Sequence, residues 1–158
     1  MQVWFLVIIM NTSLSMAESS LNNLTNQSTI ADFVTEAVYI NENDDEMGAR
    51  FRHIQSGFVL DFLRIQSVPQ AFMWVNTHPV SDQGEPHTLE HLLLGKGNKG
   101  RYVASLEEMR LANSSAFTQQ LRTCYHFHTT AGSDIFFELF EAKLDAMIHP
   151  NFSDEEIR

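Results

Sequence analysis

Apolar and polar residues alternate along the first half of this chain in short strand-like runs, and recur at helical spacing in the second. Val38-Tyr39-Ile40 predicts a short strand, closed by the acidic turn Asn41 to Glu46. Ala49 to Ile54 and Phe58 to Ile65 read as two β-segments joined by Gln55-Ser56-Gly57, a hairpin signal. In the second segment Phe58, Leu60 and Phe62 share one face by period two. Val59, Leu63 and Ile65 share the other with Asp61, so both faces are expected to be partly covered. Ala71 to Val75 is apolar throughout, as a central strand would be. After a loop containing Pro79, a segment begins with Pro86 in its first turn and has Gly95 just past its end, the marks of a helix.

Gly95 to Arg101 carries three glycines and three cations. It lacks both the spacing and the strand–loop–helix order of a phosphate cradle, and reads as a flexible surface loop. Val103 to Ala112 predicts a second short helix, and Ser115 to Thr118 with Arg122 to Thr130 a strand pair around Gln119-Gln120-Leu121. Ser133 is then expected to cap a long amphipathic helix, in which Ile135, Phe136, Leu139, Phe140, Leu144, Met147 and Ile148 form the apolar stripe. His149-Pro150 ends it. Ser153-Asp154-Glu155-Glu156 is a capping box announcing a further helix, of which only the start precedes Arg158. A helix so short is not stable alone, so the chain is expected to be one piece of a longer protein.

The first residues follow another logic. Val3 to Met10 is an apolar run too short to span a bilayer, followed by polar residues and Ser15-Met16-Ala17, a small-x-small pattern. Residues 1–17 are therefore expected to be a signal peptide and the protein to be exported, periplasmic or secreted, with no stable membrane span. The n-region lacks Lys and Arg, which is atypical. Residues 18–32, rich in Ser, Asn and Thr, predict a flexible leader. Asn-x-Ser/Thr sequons start at Asn11, Asn23, Asn26, Asn113 and Asn151.

Composition narrows the classes. With 158 residues, 44% of them apolar and 19% charged, the chain can build a globular core. A formal net charge of −10 and the absence of a basic run argue against a nucleic-acid partner. Cys124 is the single cysteine, so neither an internal disulfide nor a cysteine zinc knuckle is available.

The chemistry concentrates on His87-Thr88-Leu89-Glu90-His91, an H-x-x-E-H sequence. On a helix, His87 and His91 lie one turn apart on one face and can fill two corners of a tetrahedral zinc site. Glu90 then lies beside them as the candidate general base for an attacking water. A helix with two surface histidines is the plain alternative. His126 and His128 alternate on a predicted strand and form a second, weaker candidate, for which ordinary surface histidines are the favoured reading.

Three linked stretches resemble the pitrilysin/insulinase family of inverzincin metallopeptidases, nearest its presequence-protease branch. They are Gly84-x-Pro86-His87-Thr88-Leu89-Glu90-His91, Arg122-Thr123-Cys124-Tyr125, and Leu144-Asp145-Ala146 with His149-Pro150. The resemblance implies an α+β fold, a mostly antiparallel sheet backed by helices, with residues 33–158 forming the N-terminal part of a catalytic domain. It implies Zn2+ held by His87 and His91, and Glu90 as the catalytic residue of a zinc-dependent endopeptidase. It further implies that peptide substrates pair with an edge strand, here Ser115, Ala116, Phe117 and Thr118. Partners would be those peptides and the remaining domains of the parent chain. Two departures stand out. Ser115 occupies the place of a usual Asn, and the family's third zinc ligand, a Glu on the helix after His-Pro, would fall beyond Arg158. The fragment alone is thus expected to be inactive, and a non-catalytic binding module or inactive remnant with the same fold is the alternative.

Overall fold

The computed structural model describes residues 4–10 and 24–157. The candidate cleavage site at Ser15-Met16-Ala17 and the first part of the expected leader lie outside the described residues. The fold is α+β, with mostly antiparallel strands and helices, as the resemblance implied. The chain divides into two compact units, Met1–Val75 and Asn76–Arg158.

The first unit is built of strands β1 (Trp4–Met10), β2 (Thr29–Ile30), β3 (Phe33–Ile40), β4 (Glu46–His53), β5 (Val59–Arg64) and β6 (Gln70–Asn76). They lie in the order β2-β3-β4-β5-β1-β6, antiparallel except for the parallel pair β1 and β5. The apolar run expected to serve as an export signal thus forms a strand, with Leu6 and Ile8 buried. A seven-residue apolar run satisfies both patterns equally. Part of the expected leader is likewise placed against the sheet. Leu24 packs with Ala49 and Phe51, and the Gln27 amide donates to the Thr35 carbonyl at 2.7 Å. Leu60 and Phe62 pack partly buried against this cluster, while Val59 and Asp61 on the other face of β5 are more deeply buried, so both faces are covered.

The other face of β5 holds a buried charge. Asp61 accepts two hydrogen bonds from Arg50, its cross-strand neighbour, at 2.8 and 2.7 Å, and a third from the Tyr39 hydroxyl at 2.6 Å. Burial, and then donation to the carboxylate, push the Tyr39 phenol up to about 12. The Arg50 guanidinium is held still more firmly in its charged form, chiefly by the same carboxylate. One acid therefore stitches three strands, and its lone pairs are satisfied where water is scarce.

The second unit contains α1 (Glu85–Gly95), α2 (Gly97–Met109), β7 (Ala112–Thr118), β8 (Arg122–Thr129), α3 (Ser133–Ile148) and α4 (Asp154–Ile157). The β7–β8 hairpin is antiparallel, with Ser115 opposite His126 and Thr118 opposite Thr123. Its inner face buries Tyr125 and Phe127 beneath the helices. Phe127 stacks on Phe136 of α3 at 5.0 Å between ring centroids, and Phe140 continues the stack. Lys143 of α3 is buried in the same layer. Its Nζ donates to Glu107 of α2 at 2.8 Å, and the Ser114 hydroxyl donates to the same carboxylate. Gly132, not Ser133, is the N-cap of α3, and its carbonyl accepts the Phe136 amide. No side chain caps this end, so the capping role expected of Ser133 is not used.

The glycine-rich stretch expected as a loop departs from the sequence reading. Helix α2 starts inside it, at Gly97, whose φ of 71° is left-handed. A Cβ there would meet Asn151 Oδ1 at 2.9 Å. The first amides of α2 find partners far along the chain. Gly97 donates to Glu156 Oε1 and Lys99 to Asn151 Oδ1, each at 3.0 Å. Local pattern cannot announce caps supplied by residues so distant.

Glu156 accepts further bonds from the Ser153 amide and from Arg101. The amides of Ser153 and Gly97, ahead of Arg101, hold its carboxyl down at about 2. Because the folded value lies below the ordinary 4.5, its stabilisation is complete above that value and is lost as pH falls toward 2. Glu156→Gln should therefore lower the melting temperature at pH 7, and the gap to the parent should shrink steadily between pH 5 and pH 2. A gap independent of pH, measured by thermal denaturation monitored by circular dichroism, would contradict this.

Candidate metal centre

Helix α1 begins at Gly84, whose φ of 79° is open to glycine and strained for a side chain. Its carbonyl accepts the amides of His87 and Thr88 at 3.0 Å each, and Pro86 sits in the first turn, where no N–H is missed. The Ser81 hydroxyl binds Glu85, and that bond, ahead of the residue's own backbone amide, keeps the carboxyl below its usual range. An acid at this end complements the helix dipole. The helix is thereby fixed in phase, and phase decides the site.

One turn separates His87 from His91, and both rings are exposed. Their Nε2 atoms are 3.1 Å apart and their centroids 4.8 Å. Two nitrogens on one tetrahedral zinc sit roughly 3.3 Å apart for Zn–N bonds of about 2.0 Å. The rings are thus already at the separation a shared ion requires. Glu90 completes the group, with ligand atoms of all three residues within 4.8 Å of one another. Among the described residues this is the one group of three or more acidic, histidine or cysteine side chains so gathered.

Glu90 is buried at 4% exposure. Thr118 Oγ1 donates to its Oε2 at 2.5 Å. Behind Thr118 the chain of hydroxyls continues to Thr123 Oγ1 at 3.2 Å and on to Thr77 Oγ1 at 3.0 Å. Thr123 is fully buried. Three threonines from β7, β8 and the loop after β6 therefore fix one carboxylate oxygen of the candidate base. The sequence reading missed Thr77 and Thr123 in this role, since the three residues meet only through the hairpin register. Tyr125 lies close enough that burial, and then the Glu90 charge, push its phenol well above the ordinary value.

The four residues expected to bind substrate divide between two faces. Ala116 and Thr118 turn inward with Tyr125 and Thr123, whereas Ser115 and Phe117 are exposed on the outer face. Thr118 is committed to Glu90. His126 and His128 also face outward, their rings 5.5 Å apart, and are not part of the His87 group. Burial, and then the neighbouring His128, lower the His126 imidazole from its ordinary value. Cys124 is buried, and its thiol is pushed up to about 11, which leaves it inert as a nucleophile. No helix among the described residues is long and apolar enough to cross a membrane.

No family model matches the chain. It is similar to an uncharacterized protein of Saccharomyces cerevisiae, with 36% identity over 84 residues. That stretch is 51% of this chain and 8% of the yeast protein, so the chain spans only a small part of the relative's length.

Proposed function

We propose that this chain carries the N-terminal part of the catalytic site of a zinc-dependent endopeptidase acting on peptides or unfolded segments. The observation that supports it is the placement of two helical imidazoles 3.1 Å apart beside a buried carboxylate oriented by Thr118. His87 and His91 would hold the ion through Nε2. Zinc, when bound, supplies Lewis acidity toward a water and a peptide carbonyl. Glu90 takes the proton of the attacking water on its carboxylate and returns it to the leaving amine. The Thr118 hydroxyl keeps the carboxylate aimed while it exchanges that proton. Strand β7 pairs with β8 along one edge, and its other edge offers backbone groups to an extended peptide. Catalytic zinc takes three protein ligands, so this reading places the third in the parent chain beyond Arg158.

The rival reading, a binding module that keeps the fold without the chemistry, draws on Ser115 standing where the family carries an Asn. Metal analysis of the full-length parent separates the two. One tightly held zinc, loss of fluorogenic-peptide cleavage on chelation, and failure of a His87→Ala variant to regain either on reloading are expected. Cleavage that survives both chelation and His87→Ala would end the peptidase reading at this site.

A further inference from the structure

The hairpin that orients Glu90 carries on its opposite face a polar array that takes no part in holding that carboxylate. Alternation places His126 and His128 on the outer side of β8, and the antiparallel register sets Ser115 opposite the first and Asn113 opposite the second. Directly opposed side chains on such a ladder have Cβ atoms about 4.5–5.5 Å apart. Ser115 and Asn113 are exposed, and both histidines are half-buried. The imidazole centroids lie 5.5 Å apart with planes 26° from parallel. Two imidazoles on one tetrahedral ion have centroids roughly 5 Å apart, given metal–nitrogen bonds of about 2.0 Å. Modest turns about χ2, a soft torsion in histidine, suffice to make the nitrogens converge. Ser115 Oγ lies 3.4 Å from His126 Nδ1, an outer contact of the kind that sets the orientation of a ligating ring.

The four side chains offer two imidazoles, an amide and a hydroxyl, and no carboxylate. Such a set suits zinc, nickel or copper and is poor for calcium or magnesium. We propose that His126 and His128, with Asn113 and Ser115, form a second transition-metal site, on the face of the β7–β8 hairpin opposite Glu90. The site does not depend on the peptidase reading. An ion there bridges both strands and so braces the hairpin whose inner face holds Thr118 and Thr123.

The test uses the 158-residue chain with His87→Ala and His91→Ala, which removes the first site. Titration with Ni2+ and with Zn2+ by calorimetry should show one equivalent bound in the micromolar range. Adding His126→Ala or His128→Ala should weaken binding by at least about 10–100-fold, the cost of losing even an outer-shell partner, and Asn113→Ala by less. In the chain with all histidines intact, ring nitrogen resonances of His126 and His128 should shift together on adding Zn2+, which guards against variants that fail to fold. The proposal is overturned if removing His126 and His128 leaves nickel affinity unchanged. Binding would then belong to His53, His78 or His149. It is equally overturned if the two rings do not respond to zinc.

Discussion

On the proposed peptidase reading, replacing Glu90 with Gln should lower kcat for peptide hydrolysis by the full-length parent about 10²–10⁴-fold, the usual worth of a general base, and leave zinc content at its original level. The side chain keeps its size, and the amide oxygen can still accept the Thr118 hydroxyl, so the position is preserved. What disappears is the capacity to accept and return a proton. Because neither His87 nor His91 is touched, the metal should remain. Substrate pairing would use backbone groups along the open edge of β7, and Thr118 keeps its acceptor at residue 90, so KM should change little and the loss should fall on kcat. Metal analysis and a fluorogenic-peptide assay on the same preparation decide the matter. Stoichiometric zinc with undiminished turnover would mean that another group takes the proton. A Thr118→Val variant gives an intermediate case, since the base remains and only its aim is lost.

Lys143→Ala is expected to be the most damaging single truncation in the second unit, at about 3–5 kcal/mol. Lys143 and Glu107 are almost wholly out of water, with side-chain exposures of 5% and 12%. Removing the ammonium leaves a buried carboxylate with the Ser114 hydroxyl as its remaining described donor. It also empties space beside Phe127, over whose ring the Nζ stands at 5.9 Å. A loss of that size is a large part of the 5–15 kcal/mol that holds a typical domain together. The pair should behave differently from its parts. Lys143→Met combined with Glu107→Leu exchanges two desolvated charges for apolar volume, and should be more stable than Lys143→Ala alone. Urea denaturation of the three chains measures the difference. Equal midpoints for the single and double variants would show that the carboxylate is not stranded by the first change.

These two sites also mark what the amino-acid order could and could not disclose. The helix bearing His87 and His91 was legible because its signals are local: Pro86 in the first turn, Gly95 at the end and a four-residue spacing. Strands β4 and β5 were legible from a hairpin signal, with alternation in β5, strand β6 from an unbroken apolar run, and the long stripe from Ile135 to Ile148 from its helical period. Glu107 and Lys143 were silent, because each looks like a solvent-facing charge until helix packing brings them together. The hydroxyl chain from Glu90 through Thr118 and Thr123 to Thr77 was silent for the same reason. Trp4–Met10 illustrates a different ambiguity: a short apolar run has no periodicity with which to separate an export segment from a buried strand. The start of α2 was hidden by its own glycines. Gly97 reads as a breaker, and what tolerates it is a carboxylate and an amide far along the chain.

That clasp has a consequence for synthesis. Glu156 follows Gly97 by 59 residues, and at about 5–20 residues per second it is made roughly 3–12 s later. For most of that interval the Lys99 amide also lacks its acceptor, Asn151, so the N-terminal end of α2 is free to fray beside the helix that carries His87 and His91. The final turn of the described chain therefore acts as a late latch. The helix that carries His87 and His91 acquires its settled neighbour only after almost every other residue here has emerged.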